Sequence, residues 1–249
     1  MRWTRRTVMG AAASLAAAPA AARIRLLGEG DIEAAERLVS APPVGGRYRV
    51  LFVGNSFTYG HDVPGRVVTL AGGEGVPLDV ATLAEGGARL AGTLARPGVR
   101  AVLEAAGWDA VVLQDHSTTA FDPAYRHDSA AAIAYAAAVV APRPLVLVTP
   151  WARAVGHPMY EAGAVIRAGL QQPQNPQHMT ETTAQFFEAA VGAARETGAP
   201  VHLAPVARRW LAASGEGAAL YGPDRYHASP EGAALVARVV WEALGPLLR

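Results

Sequence analysis

Arg49-Val50-Leu51-Phe52-Val53-Gly54-Asn55-Ser56-Phe57-Thr58 joins an apolar run of strand length to the turn that stops it. Val50 to Val53 reads as a strand, and Ser56 follows where the chain must bend toward its next helix. Gly54 leaves room for close backbone approach, while Asn55 and Ser56 are polar residues that tolerate a tight turn. In an open parallel α/β sheet the carboxyl ends of the strands form the ligand crevice, so a hydroxyl two residues beyond the first strand faces a site. Gly-Asn-Ser after a strand is also an ordinary turn, so the decision falls to the rest of the chain.

Four further runs repeat the strand pattern: Leu78 to Leu83, Ala110 to Leu113, Leu145 to Val148 and Val201 to Ala204. Helical spacing lies between them. Asp62 is placed to cap a helix that ends at Gly72-Gly73, and a second pattern extends to Ala106 with an interruption at Pro97-Gly98. Others run over Ala130 to Val140, from Met179 to a stop at Gly198, and over Ala207 to Ala213. In the last helix Ser229 is the cap, Pro230 the first helical residue, and Leu235, Val236, Val239, Val240, Ala243 and Leu244 the inner face. Strands alternating with helices predict an α/β chain, a five-stranded parallel sheet between two helical layers, with no internal repeat. A Pro/Gln-rich connection over residues 152–177 leaves the carboxyl end of strand four and is read as a substrate-facing loop.

At 249 residues and 51% hydrophobic, the chain has apolar material for one large core. It has no Cys, which excludes disulfides and thiolate metal ligands. Every basic side chain is Arg, which excludes Schiff-base lysine chemistry and a P-loop lysine. A formal net charge of +1 gives no reason to expect a nucleic-acid partner. The basic start Thr4-Arg5-Arg6-Thr7 precedes an Ala-rich run and resembles a twin-arginine export signal over residues 1–22. Ala20-Ala21-Ala22 or Ala18-Pro19-Ala20 would be the cleavage site. The expected product is exported, periplasmic or extracellular, without a membrane span. Residues 23–46 read as an N-terminal extension with a short helix from Ile32 to Val39 capped by Asp31, and residues 47–249 as the functional domain.

A hydroxyl is a poor nucleophile at neutral pH and needs a base within reach, itself held in one tautomer by an acceptor. Asp224 and His227, three residues apart ahead of the last helix, can supply both roles. Gly86-Gly87 after strand two can turn backbone N–H groups toward a ligand. Gln114-Asp115-His116 follows strand three. His61 and His116 are rival bases, yet neither has an acidic partner placed as Asp224 is to His227. No metal-ligand spacing such as H-E-x-x-H occurs, the G-x-S-x-G elbow is missing because Thr58 holds its last position, and no cofactor is implied.

Taken in order, these blocks resemble the SGNH, or GDSL-like, hydrolase superfamily, and closely its bacterial branch whose first block reads G-N-S-F-T. Gly54 to Thr58 matches the nucleophile block, Gly86-Gly87 the glycine block, Leu113-Gln114-Asp115 the third block and Asp224 to His227 the terminal D-x-x-H block. The resemblance implies a three-layer flavodoxin-like fold and ester hydrolysis through an acyl-enzyme. Ser56 would be nucleophile, His227 general base and then acid, and Asp224 its orienting partner. The backbone N–H groups of Ser56 and Gly87 and the Gln114 amide would hold the oxyanion, with Gly86 the alternative to Gly87. Two departures stand out: Asn55 replaces the superfamily's common Asp, and Gln114 is one methylene longer than its third-block Asn. Asn55, His61, Gly86, Asp115, His116 and Trp151 are the expected substrate contacts. The expected substrate is a small-molecule or carbohydrate ester. An acyltransferase using the same triad, or a carbohydrate-binding protein using the same crevice, would share these residues.

Overall fold

The structure is a computed structural model that describes residues 25–42, 44–164, 169–217 and 219–249. The export segment read at residues 1–22 lies outside the described residues. Five parallel strands carry the architecture: β1 (Tyr48–Gly54), β2 (Leu78–Ala84), β3 (Ala110–Gln114), β4 (Leu145–Val148) and β5 (Val201–Ala204). They lie in the order β2-β1-β3-β4-β5, paired from Tyr48 opposite Leu78 at one edge to Val148 opposite Ala204 at the other. Around them run α1 (Glu29–Ser40), α2 (Ser56–Tyr59), α3 (Val63–Gly73), α4 (Leu90–Leu94), α5 (Pro97–Glu104), α6 (Pro123–Val140), α7 (Pro176–Glu196), α8 (Val206–Gly215) and α9 (Pro230–Leu244).

Strand residues alternate between two cores because successive side chains leave opposite faces of a sheet. Leu51, Val53, Val111, Leu113, Leu145 and Leu147 pack with α1 and α4 to α7. Val50, Phe52, Val112, Val146 and Val148 pack with α2, α3, α8 and α9. Both faces are covered, as an all-parallel sheet requires. The connection from β1 runs to β2 on one side, while β3 pairs on the other, so the chain reverses direction across the sheet at β1. A crevice opens outside the carboxyl ends of the strands at such a reversal, and Ser56 stands at its lip. Among the described residues no helix is long and apolar enough to cross a membrane.

The strands match the expected runs to within two residues, and Ser229 caps α9 with its hydroxyl accepting the Gly232 N–H at 3.0 Å. Helix starts differ more. Asp31 is not the cap of α1; it is the third residue of the helix, and its carboxylate reaches back to the Gly28 N–H at 3.1 Å. That helix buries Ala35 and Val39 against α5, so residues read as an extension form part of a core. The expected interruption near Pro97 separates α4 from α5, but it falls just before the proline, which itself opens α5 because it is suited to a first helical turn. Helices α6 and α7 begin at Pro123 and Pro176, earlier than Ala130 and Met179, behind the caps Asp122 and Asn175.

Candidate active site

Ser56 is the first residue of α2, and the turn that presents it is held from three sides. The Asn55 side chain accepts the Phe57 N–H at 3.1 Å and donates to the Ala88 carbonyl at 3.0 Å, tying the serine turn to the chain after Gly87. Gln114 Oε1 accepts both the Asn55 N–H at 3.1 Å and the Thr58 hydroxyl at 3.0 Å. Gly54 is needed for space: a Cβ there would lie 2.1 Å from Thr58 Oγ1 and 2.9 Å from Gln114 Oε1. Gly54→Ala is therefore expected to destabilise the fold by about 1–3 kcal/mol, as overpacking does, and to slow turnover by displacing Ser56. Urea unfolding checks the first effect. Thr58→Ala added to Gly54→Ala should recover part of the loss if the hydroxyl is the obstacle, and simple additivity of the two would refute it.

The other two side chains come from a small hairpin ahead of α9. Tyr221 bridges Ala228, the Gly222 N–H donates to the His227 carbonyl at 2.8 Å, and Arg225 takes the left-handed φ of 58° that closes the turn. Asp224 Oδ1 accepts the backbone N–H groups of Tyr226 and His227 at 3.0 and 2.9 Å, which aims the second oxygen at the ring. His227 Nδ1 lies 2.6 Å from Asp224 Oδ2, and Nε2 lies 2.9 Å from Ser56 Oγ. Burial pushes the Asp224 carboxyl up, but the hydrogen bonds from the His227 ring and the two amides outweigh it and hold it below its ordinary value. An ionised Asp224 takes the proton on Nδ1, leaving Nε2 to accept from Ser56.

A stack of three rings joins these two parts. Phe57, next to Ser56, lies on Trp151 at 3.8 Å with an interplanar angle of 7°, and Trp151 lies on Trp210 at 4.4 Å. The Trp151 indole N–H donates to the Tyr226 carbonyl at 3.1 Å, one residue before His227. Packing and one hydrogen bond thus set the distance between Ser56 and His227. Above the triad opens a cavity of about 670 Å³ whose walls include Ser56, His227, Gly87, Tyr59 and Tyr226.

Of the expected substrate contacts, His61, Gly86, His116 and Trp151 line this cavity and Asn55 and Asp115 do not; of the expected oxyanion donors, Ser56 and Gly87 line it and Gln114 does not. Gln114 is 3% exposed, its amide nitrogen bonded to the Asp115 carbonyl and its oxygen turned to the serine turn. It supports the serine turn from behind, and with its amide nitrogen on the Asp115 carbonyl it does not line the cavity. Asp115 is fully buried, with Oδ1 accepting the Leu90 and His116 N–H groups and Oδ2 the Ser129 hydroxyl at 2.5 Å. Burial pushes its carboxyl up against those donors. It organises the loops after β2 and β3 and is a structural residue, as is Asn55. The Gly86 N–H is spent on the Arg25 carbonyl at 2.8 Å, whereas Gly87 adopts φ 71° beside the cavity, which favours Gly87 of the two.

His227, not His61 or His116, is the ring in contact with Ser56. His61 lines the cavity with φ of 49°, and Asp62, at φ 55°, caps α3 through the Gly65 N–H. His116 Nδ1 lies 2.8 Å from the Thr118 hydroxyl and 3.3 Å from the Thr118 backbone nitrogen, which ties the ring to the loop after β3. Arg153 was not foreseen. It also lines the cavity, and no spacing around it in the sequence signals a ligand.

No family model matches the chain, and no curated protein matches it. Solved structures do. A protein of Slackia heliotrinireducens classed among the SGNH hydrolases is 26% identical, with 80% of this chain and all of that one aligned at a TM-score of 0.63. TesA is 20% identical over 80% of this chain and 99% of its own, at 0.56. A family 3 carbohydrate esterase of Clostridium thermocellum is 12% identical over 82% and 98%, at 0.59. The chain is therefore built on the fold of SGNH hydrolases and esterases, with a serine, a histidine and an aspartate in one hydrogen-bonded line at the crevice of its sheet.

Proposed function

We propose that this chain is a serine esterase of the SGNH superfamily, in the branch whose nucleophile block reads G-N-S-F-T, and that it hydrolyses O-acyl esters such as acetyl groups on a carbohydrate or cell-envelope polymer. The observation that carries the reading is the unbroken contact from Asp224 through His227 to Ser56. Ser56 Oγ attacks the carbonyl carbon while its proton passes to His227 Nε2, and Asp224 stabilises the imidazolium. The Ser56 and Gly87 backbone N–H groups face the oxyanion; each such donor is worth roughly 3–4 kcal/mol of barrier. The C–O bond to the alcohol breaks as His227 returns the proton. Water, deprotonated by the same ring, then cleaves the acyl-enzyme and frees Ser56.

A serine-directed phosphonate tests this directly. One covalent adduct at Ser56, seen by mass spectrometry and absent after His227→Ala, is expected, because only an activated hydroxyl displaces the leaving group. An unlabelled Ser56 in folded protein would favour a carbohydrate binder using the same crevice. An acyltransferase would label equally, and acyl transfer to an added sugar in preference to water would identify it.

A further inference from the structure

Arg153 is 7% exposed, yet among the described residues no ion pair includes it. Its guanidinium stands 4.2 Å over the Tyr226 ring, and Nη1 makes one long hydrogen bond, 3.4 Å, to the Ser117 hydroxyl. The Tyr160 hydroxyl holds its carbonyl at 2.9 Å and the Arg225 carbonyl holds the next N–H, so the backbone is fixed. The nearby carboxylate of Asp224 has both oxygens committed to the His227 hairpin. A buried charge with no ion-pair partner is costly, the Asp224 charge offsetting burial only in part, and a guanidinium does not escape by losing its proton. Burial pulls the Arg153 pKa down, and the Arg153 charge is second only to burial in holding down that of His157. A fixed, stacked cation with spare donors in the wall of a cavity is arranged for an anion that arrives with the substrate.

Sheet order says which part of the substrate it meets. Gly87 follows β2 and Ser56 follows β1, so the oxyanion lies toward that edge. Arg153 follows β4, two strands from β1 and roughly 10 Å across at ordinary strand spacing. It therefore enters the cavity from the side opposite Gly87. It flanks Tyr226 and His227, and His227 is the group that protonates the leaving alcohol.

We propose that Arg153 is a specificity residue that binds a carboxylate on the alcohol half of the ester, so that the preferred substrates are O-acyl esters of acidic sugars or hydroxy acids. This rests on the esterase reading above and names the substrate class of that site. The test compares kcat/KM for acetate release from a mono-O-acetylated methyl glucuronoside, its carboxyl methyl ester and the matching mono-O-acetylated methyl glucoside. The acidic substrate should lead both neutral ones by at least about tenfold, since a site built for a polar group strongly rejects analogues that lack it. Arg153→Gln should bring the three within about threefold of one another, and Arg153→Lys should restore part of the ratio. If Arg153→Gln fails to fold, the wild-type contrast between the acid and its methyl ester decides alone. Equal rates on the three acetates, an acid preference that survives Arg153→Gln, or a preference for nitrophenyl hemisuccinate over nitrophenyl butyrate without one on the glucuronoside would each overturn the proposal. Those results leave the esterase reading standing. Failure to cleave any ester, with Ser56 unlabelled by phosphonate, removes both.

Discussion

Ser56→Ala is expected to lower kcat for a short-chain nitrophenyl ester by about 10⁶-fold, the scale seen when a hydrolytic serine is removed from an intact triad. The loss should fall on kcat, because the deleted oxygen forms a bond in the transition state and contributes little to ground-state binding. Folding should be unchanged. Asn55, not Ser56, caps α2, and the hydrogen bond that the Ser56 hydroxyl makes is the one to His227. His227→Ala should cost about as much, and the double variant hardly more, since the two act as one unit. Stopped-flow traces supply the check: the wild type should release a burst of nitrophenol equal to the enzyme present, and Ser56→Ala none. Residual turnover above about 1% of wild type would mean that a different group attacks the carbonyl.

How far the sequence exposed this site depended on the range of the interaction concerned. Strands were legible because short apolar runs bounded by Gly, Pro or polar clusters are local signals, and Ser56 drew notice because it follows the end of one of them. Ser229-Pro230 was read as a cap followed by proline, but the same pairing at Asp122-Pro123 and Asn175-Pro176 was not, so α6 and α7 began too late. Gln114 shows the other limit. Its place in the third block pointed to an oxyanion donor, yet which way an amide turns is set by its partners, the Asn55 N–H and the Thr58 hydroxyl, which belong to a different strand end. Arg153 and the Phe57–Trp151–Trp210 stack were invisible for the same reason: their meaning comes from contacts between segments far apart in the chain.

Asp224→Asn should lower kcat by about 10⁴-fold, with KM little changed. The substitution keeps the shape of the hairpin, because an amide oxygen can still accept the Tyr226 and His227 N–H groups that now bond to Oδ1. What changes is the 2.6 Å contact to His227 Nδ1. An amide nitrogen at that place donates, so Nδ1 must accept and the ring proton moves to Nε2, where it faces Ser56 and blocks proton removal. Asp224→Ala, which also deletes the acceptor for both amides, should add a loss of thermal stability that Asp224→Asn lacks, and the contrast separates tautomer control from loop support. The pH dependence follows from the sign of the shift. With its folded pKa depressed, Asp224 contributes stability that is full above its unfolded value, about 4, and lost only as pH falls through the lower native value. Wild-type activity should therefore show no Asp224 titration above about pH 4, and the Asn variant should be slow across that whole range instead of at one end of it. A rate for Asp224→Asn within tenfold of wild type would show that some other acceptor sets the histidine.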